Sequence, residues 1–351
     1  MTEAVISATS VMCAAGFGEA QVWSSVRGRV SRIRNSSVMD RHFEPIPMGL
    51  VPEEALDADD ADLDPLSWPA RARRMLRLAT PTLRELASAI GDTPVALYLG
   101  LPELTPDDSP WLDKFSEQLC ARAGLKFDEA ASRTFPLGRA AVLVALESAL
   151  EAMIADSSRP ILVGGVDTFL DLRLLATLGA EGRVHGPRVM DGFIPGEGAA
   201  FLLLEGSGKA ASGAAVIHGA ASTIDPGHRY GTEPARGEGL AEALQLLRGR
   251  LASPGGLVAS TFTGLNGENF DAKLWGVAQL RHGDLFAADM VLEHPASCFG
   301  DTGAATGAIL TALAATALAA GHRAAPALVW AASDFGARGC TIVDVPAPRK
   351  S

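Results

Sequence analysis

The chain has 351 residues, 48% of them hydrophobic and 20% charged, enough to bury a large core and comfortable for two fused halves. A net charge of -11 with a pI of about 5.1 argues against nucleic acid as a partner, because its phosphates would be repelled. Four cysteines, Cys13, Cys120, Cys298 and Cys340, stand far apart without a CxxC pair, the pattern of reduced thiols in the cytoplasm.

In chain order, "MTEAVISATSVM" carries an early acid and no basic n-region, so it predicts a strand over 4–11 and no signal peptide. "DADDADLD" (57–64) reads as a solvated loop, and "RARRMLR" (71–77) as the start of a helix reaching about Ile90. Short apolar runs bounded by Gly, Pro or Asp predict strands at 95–100, 160–167 and 199–205. A second set follows at 214–222, 257–262, 327–333 and 340–345. Strands alternating with helices predict an α/β architecture with largely parallel sheets.

Two helices are unusual. From Ala140 to Ala155 the only polar residues are Glu147, Ser148 and Glu151, on one narrow face. From Thr302 to Ala320 only threonines interrupt the apolar surface. A helix apolar nearly all round must be covered on most sides. The second is too rich in Ala, Gly and Thr to read as a membrane span. One such helix in each part of the chain predicts two similar halves, 1–208 and 209–351, with these helices central and a sheet on either side.

Several motifs follow one another in a telling order: "RARRMLRLATPTLRELASAI", "GRAAVLVALESALEAM" leading to "PILVGGVD", "EGRVHGPRVMDGFIPGEGAAFLLLE", "FTGLNGENFD", "ASCFGDTGAATGAILTALA" and "SDFGARGCTIVDV". Through them the chain resembles the β-ketoacyl-acyl carrier protein synthases of the thiolase superfamily over most of its length, "DGF..GEGA" being the most specific match. The resemblance implies an α/β thiolase fold, five αβαβα layers built from two similar halves, and no cofactor.

In that family a cysteine at a helix N-terminus is the nucleophile, where the dipole favours thiolate. Two histidines from separate loops hydrogen-bond the thioester carbonyl, and a lysine completes the set. Counting back without gaps from "GGV" through "LVAL", the cysteine falls on Arg139. The first histidine, one residue before "GLNG" and eight before Asp271, falls on Thr263, the second on Asp301 and the lysine on Ala296. In the closing loop Phe335, Gly336, Ala337, the family's gating phenylalanine falls on Ala337. A shifted alignment would put Phe135 or Pro136 at the nucleophile position, and neither is one. No cysteine lies between Cys120 and Cys298, and no histidine between His228 and His282. No catalytic residue is therefore expected at the family positions.

Could another residue have taken over? Cys298, three residues from Asp301, has His294 four residues upstream as a base. That pair defines the alternative of an active acyl-thioester enzyme: a β-ketoacyl synthase, decarboxylase or hydrolase. Nothing in the sequence lowers the thiol pKa, however, and a buried structural cysteine is the competing reading. Decarboxylation alone tolerates loss of the cysteine but not of both histidines, since nothing then stabilises the enolate oxygen. Ser132 and Ser297 have no patterned base, and the seven histidines show no HExxH or other ligand spacing, so no metal is expected. The glycines of "DGFIPGEG" and "GLNGEN" fit turns and not a phosphate cradle. Asp191 and Glu197 fall on positions that support the family's fold locally.

Asp301 poses a choice between helix cap and active-site remnant. An aspartate N-cap contributes about 1 kcal/mol. Arg139 also sits at a helix start, where the dipole disfavours a cation and burial without a partner costs more. Because the two positions face each other in the family, we expect an Arg139–Asp301 ion pair within about 6 Å, with one oxygen free to cap. The leading expectation is a non-catalytic, ketosynthase-like protein that works by binding. The resemblance implies a homodimer, or a heterodimer with a ketosynthase homologue as for chain-length-factor subunits, paired through a sheet edge in the first half. An acyl carrier protein is a further candidate partner, and a likeness to thiolase-like accessory proteins of bacterial secretion clusters adds a secreted effector. Neither nucleic acid nor membrane is expected. Between strand 95–100 and Arg139 there is little of the long insertion that shapes the family's acyl tunnel, which leaves less room for a lengthy acyl chain.

Overall fold

The computed structural model describes residues 3–57, 62–103, 109–206, 208, 213–250 and 257–345. Residues 58–61, the middle of the expected solvated loop, lie outside them. In the first part of the chain the strands are β1 (Ala4–Cys13), β2 (Gly16–Phe17), β3 (Arg34–Met39), β4 (Pro45–Met48), β5 (Ala96–Leu101), β6 (Arg133–Pro136), β7 (Ile161–Thr168) and β8 (Glu197–Gly206). The remainder adds β9 (Val216–Ile224), β10 (Val258–Thr263), β11 (Phe286–Glu293), β12 (Ala327–Ala332) and β13 (Ala337–Asp344).

One hydrogen-bonded path runs β11-β10-β12-β13-β9-β1-β8-β7-β5-β6, with β2 a short spur on β1 and β3–β4 a separate hairpin. Read from each outer end, β6-β5-β7-β8-β1 and β11-β10-β12-β13-β9 have the same order. Each begins with two parallel pairings and ends with two antiparallel ones. The sheets are therefore mixed, not largely parallel as the alternation predicts. The last strand of each half returns antiparallel, so it needs no crossover helix. In the sheet the two halves join at β1 and β9, where Ala4 pairs with Ile217 and Val5 with Val216, and the Ile6 N–H donates to the Ala215 carbonyl at 2.9 Å.

Three clusters of buried side chains give the layers. Helices Ala70–Glu85 and Ser109–Ala123 cover the outer face of the first sheet, and Glu238–Arg250 and Asn269–Arg281 that of the second. Between the sheets lie Ala141–Ala155 and Thr306–Ala319, the two helices whose composition demanded cover on every side. The result is a five-layer αβαβα arrangement of two similar halves. Backbone closeness at the centre depends on two glycines. A Cβ on Gly165 would lie 2.4 Å from the Ala304 carbonyl oxygen, and one on Gly307 3.0 Å from Val142 Cβ, so neither site admits a side chain without movement.

The helix expected to reach Ile90 ends at Glu85, and Ala87–Ile90 forms a separate turn. Pro81 lies inside the longer helix, where its missing N–H leaves the Arg77 carbonyl without its helical partner. The Asp57 N–H fills that vacancy at 3.0 Å. Glu197 ties this helix to β8: it accepts two hydrogen bonds of 2.7 Å from Arg74, and others from Val51 N–H and the Thr168 hydroxyl. Among the described residues no helix is long and apolar enough to cross a membrane.

Candidate functional site: a crevice filled by ion pairs

The crevice forms where the two central helices begin. Arg139 lies in the 3-10 turn Gly138–Ala140 that leads into the first of them. Asp301 follows the short helix Ala296–Phe299 and precedes the turn Gly303–Ala305 that leads into the second. Arg139 Nε donates to Asp301 Oδ2 at 2.6 Å, with side-chain exposures of 4% and 2%. Asp301 Oδ1 accepts from Gly303 N–H at 2.9 Å, so one carboxylate both pairs and caps. Capping is shared, because Asp167 Oδ2 takes the next N–H, that of Ala304, at 3.0 Å. Asp167, the last residue of "GGVD", was not among the expected site residues.

The pair belongs to a larger set. Arg139 Nη1 lies 3.2 Å from Asp334 Oδ2. Arg183 grips Glu268 in a two-point contact at 2.9 and 2.8 Å and Asp334 in another at 2.9 and 3.0 Å. Arg229 approaches the same two carboxylates at 3.1 and 3.3 Å. Asn266 Nδ2 bridges Glu268 and Asp301 at 3.1 and 2.9 Å. Three guanidinium groups thus meet three carboxylates around one amide. The Phe193 ring of "DGF" lies between Arg139 and Arg183, their guanidinium carbons 5.2 and 5.4 Å from its centroid.

Opposing forces set the protonation states here. Burial alone would raise the Asp334 carboxyl, but Arg139, Arg183 and Arg229 outweigh it and hold the group well below the usual carboxylate range. Burial likewise disfavours the Arg139 cation, and the Asp301 and Asp334 charges more than restore it. Two neighbours stay poorly compensated. Burial pushes the Asp271 carboxyl up to about 7. Burial, aided by the Asp334 charge, raises Glu103 to about 7. Removing either partner of a buried pair leaves an uncompensated charge, so this set holds together only as a whole.

The remaining expected residues fall into place around it. Thr263 donates its hydroxyl to the Glu293 carbonyl at 3.0 Å, which leaves no donor proton for a thioester oxygen. Ala296 and Thr263 line the same small cavity as Asp301 and Asn266, and its volume is about 10 Å³, the room of one water molecule. Ala337 is buried, while Phe335 is 57% exposed and stacks on Tyr230 at 4.9 Å. Cys298 is not joined to a base. Its thiol has Ser297 Oγ at 3.9 Å, and burial raises its pKa, the opposite of what an attacking thiolate needs. Burial pulls the His294 imidazole down. Ser132 hydrogen-bonds the Asp128 carbonyl, and Ser297 the His294 carbonyl. Among the described residues no group of three or more His, Cys, Asp or Glu could hold a metal ion.

Arg183, Arg229, Glu268 and Asp334 escaped the sequence reading. Each is one charged residue in a loop, and loops carry charge by default. The available signal was Arg139 itself: a buried cation needs carboxylates, and "GRV", "GEN" and "SDF" sit in the motifs that converge on the same crevice.

The layer order, the repeated strand order and a crevice between the two halves define a thiolase-type fold of the ketosynthase kind. Comparison with solved structures agrees. The chain is similar to the ishigamide ketosynthase/chain length factor at 18% identity and a TM-score of 0.74, covering 98% of this chain and 99% of that one. It is similar at 15% identity and a TM-score of 0.77 to AntDE:AntF, a type II polyketide synthase acyl-carrier protein in complex with its ketosynthase bound to the hexaketide; 98% of this chain and 100% of that one are covered. A third likeness, at 15% identity and a TM-score of 0.76, is to the ketosynthase from module 6 of the bacillaene synthase from Bacillus subtilis 168, with 99% and 73% covered. Neither a scan of protein-family models nor a search of curated proteins gives a match. Such identities establish the fold and leave the chemistry to the side chains.

Proposed function

We propose that this protein is a ketosynthase-like subunit that has given up condensation and works by binding another protein. The observation that carries this reading is the packed crevice. Where the family's cysteine and two histidines would align there stand Arg139, Thr263 and Asp301, locked into ion pairs and a backbone hydrogen bond around a void of about 10 Å³. A guanidinium is no nucleophile, and a carboxylate placed at an oxyanion repels it.

The reading takes Arg139, Thr263, Asp301 and Ala296 as the active-site-equivalent positions, and 1–208 and 209–351 as the two halves. Its partner would be a second copy or a ketosynthase homologue, meeting the first half at the open edge of β6, the last strand of the path. That the neighbours include a ketosynthase/chain length factor and a ketosynthase with its acyl-carrier protein supports partners of those two kinds. A cytoplasmic location accords with the four free cysteines.

The test is incubation of the purified protein with malonyl- and acetyl-acyl carrier protein. No CO2 and no acyl adduct on any residue is the expected result, and either product overturns the non-catalytic reading. Co-purification with a homologue that carries the intact Cys-His-His set is the expected sign of a partner subunit. Activity traced to Cys298 would restore the enzyme reading.

A further inference from the structure

The short helix Ala296–Phe299 is a partition. Ala296 and Phe299 face the crevice, whereas Ser297 and Cys298 face a second cavity of about 180 Å³. Its other walls are the end of helix Glu19–Arg27 with Arg29, the segment Leu292–His294, and Arg323.

Charge here is out of balance. Arg323 is satisfied, its Nε lying 2.5 Å from Glu293 Oε1 and a second nitrogen on the same carboxylate. Arg27 Nη1 meets only a ring nitrogen of His322 at 2.5 Å, and that ring carries no negative charge. Among the described residues no carboxylate forms an ion pair with Arg27 or Arg29, and Glu293 is the one acid in the cavity wall. Two solvent-exposed guanidinium groups without a carboxylate partner thus face one polar cavity in a chain of net charge -11. Capping the helix does not explain them. Its last carbonyls are already taken by the N–H groups of Gly28, Arg29 and Val30 at 2.9–3.0 Å.

Arg29, with φ of +53°, stands at the left-handed position that ends the helix, where its own N–H and that of Val30 close back on the Val26 and Ser25 carbonyls. That conformation turns the chain just past the helix and brings the Arg29 side chain to the cavity wall. We propose that the cavity between Arg27, Arg29, Arg323 and Ser297 binds a small phosphate-class oxyanion, as the free ion or as a phosphate monoester. Guanidinium forks match the oxygen spacing of phosphate and hold it at two points.

The test is calorimetric titration of the full chain with inorganic phosphate in a chloride buffer of constant ionic strength, with O-phosphoserine as a parallel ligand. Saturable binding of inorganic phosphate assigns the free ion, and equal or tighter binding of O-phosphoserine assigns a monoester. Binding of neither up to about 10 mM overturns the proposal. Arg29→Gly is the informative variant. It removes the guanidinium while easing the backbone, so phosphate affinity should fall by about tenfold or more while the unfolding midpoint without phosphate holds or rises. Arg27→Ala should weaken binding similarly, and Arg248→Ala, outside the cavity, should not. Wild-type affinity in Arg29→Gly would show that the residue has only a structural part.

Discussion

One turn of helix, Ala296–Phe299, separates two arginine-rich places built on opposite plans. On one side three guanidinium groups face three carboxylates and leave about 10 Å³. On the other, three face one carboxylate around about 180 Å³. Arginine alone therefore tells little. The carboxylate count and the remaining space decide whether such a cluster serves the core or awaits a ligand.

The sharpest way to break the contrast is to unbalance the closed side. Arg139→Ala strands Asp301 and part of the Asp334 charge, and should lower the unfolding free energy by about 3–5 kcal/mol, read from urea denaturation. Arg139→Met combined with Asp301→Leu removes charge in a balanced way and should recover most of that loss. If both variants lose equally, packing and not charge governs the crevice.

A second effect should appear in the pH dependence. Asp271 and Glu103, raised to about 7, keep their protons in the fold after the unfolded chain has released them near pH 4. Stability therefore falls as pH rises from about 4 to 7. Asp334, held low by its three arginines, works in the other direction: its contribution is complete above about pH 4 and is lost as pH falls further toward its folded value. Asp271→Asn should flatten the upper slope, measured by denaturant midpoints at pH 4.5 and 7.5. An unchanged slope would place the titration elsewhere.

The partition itself can be probed through Cys298. With its thiol raised by burial, alkylation by iodoacetamide at neutral pH should run at least about tenfold slower in the folded than in the unfolded protein. Mass spectrometry of the peptide reports this, and rapid native labelling would mean an accessible thiolate. Least of all should come from Arg248→Ala, whose 2.7 Å pair with Asp284 lies in solvent. Its unfolding midpoint should stay at the wild-type value.

Legibility followed burial. The apolar runs of β1, β5, β7, β8, β9, β10, β12 and β13 announce strands because those strands are covered on both faces. "RTFP" and "FAADMVLE" form β6 and β11 but lie at the two open edges, where a mixed composition suffices and the pattern is lost. Both central helices were visible for the same reason as the covered strands. In the crevice, Arg139 and Asp301 could be paired on paper because each is a charge at the head of an apolar helix. Arg183, Glu268 and Asp334 could not, since only the folded chain brings their loops within 3 Å of one another. The cationic cavity was invisible as well: Arg29 and Arg323 are 294 residues apart and belong to no motif.

The glycines at the centre carry a consequence for how such a protein arises. Gly165 and Gly307 let bare backbone set the spacing between the two helix origins, so their mutual distance does not depend on which side chains stand at their heads. Substitution at the heads of the helices can then change the groups that fill the crevice while the backbone around it keeps its spacing.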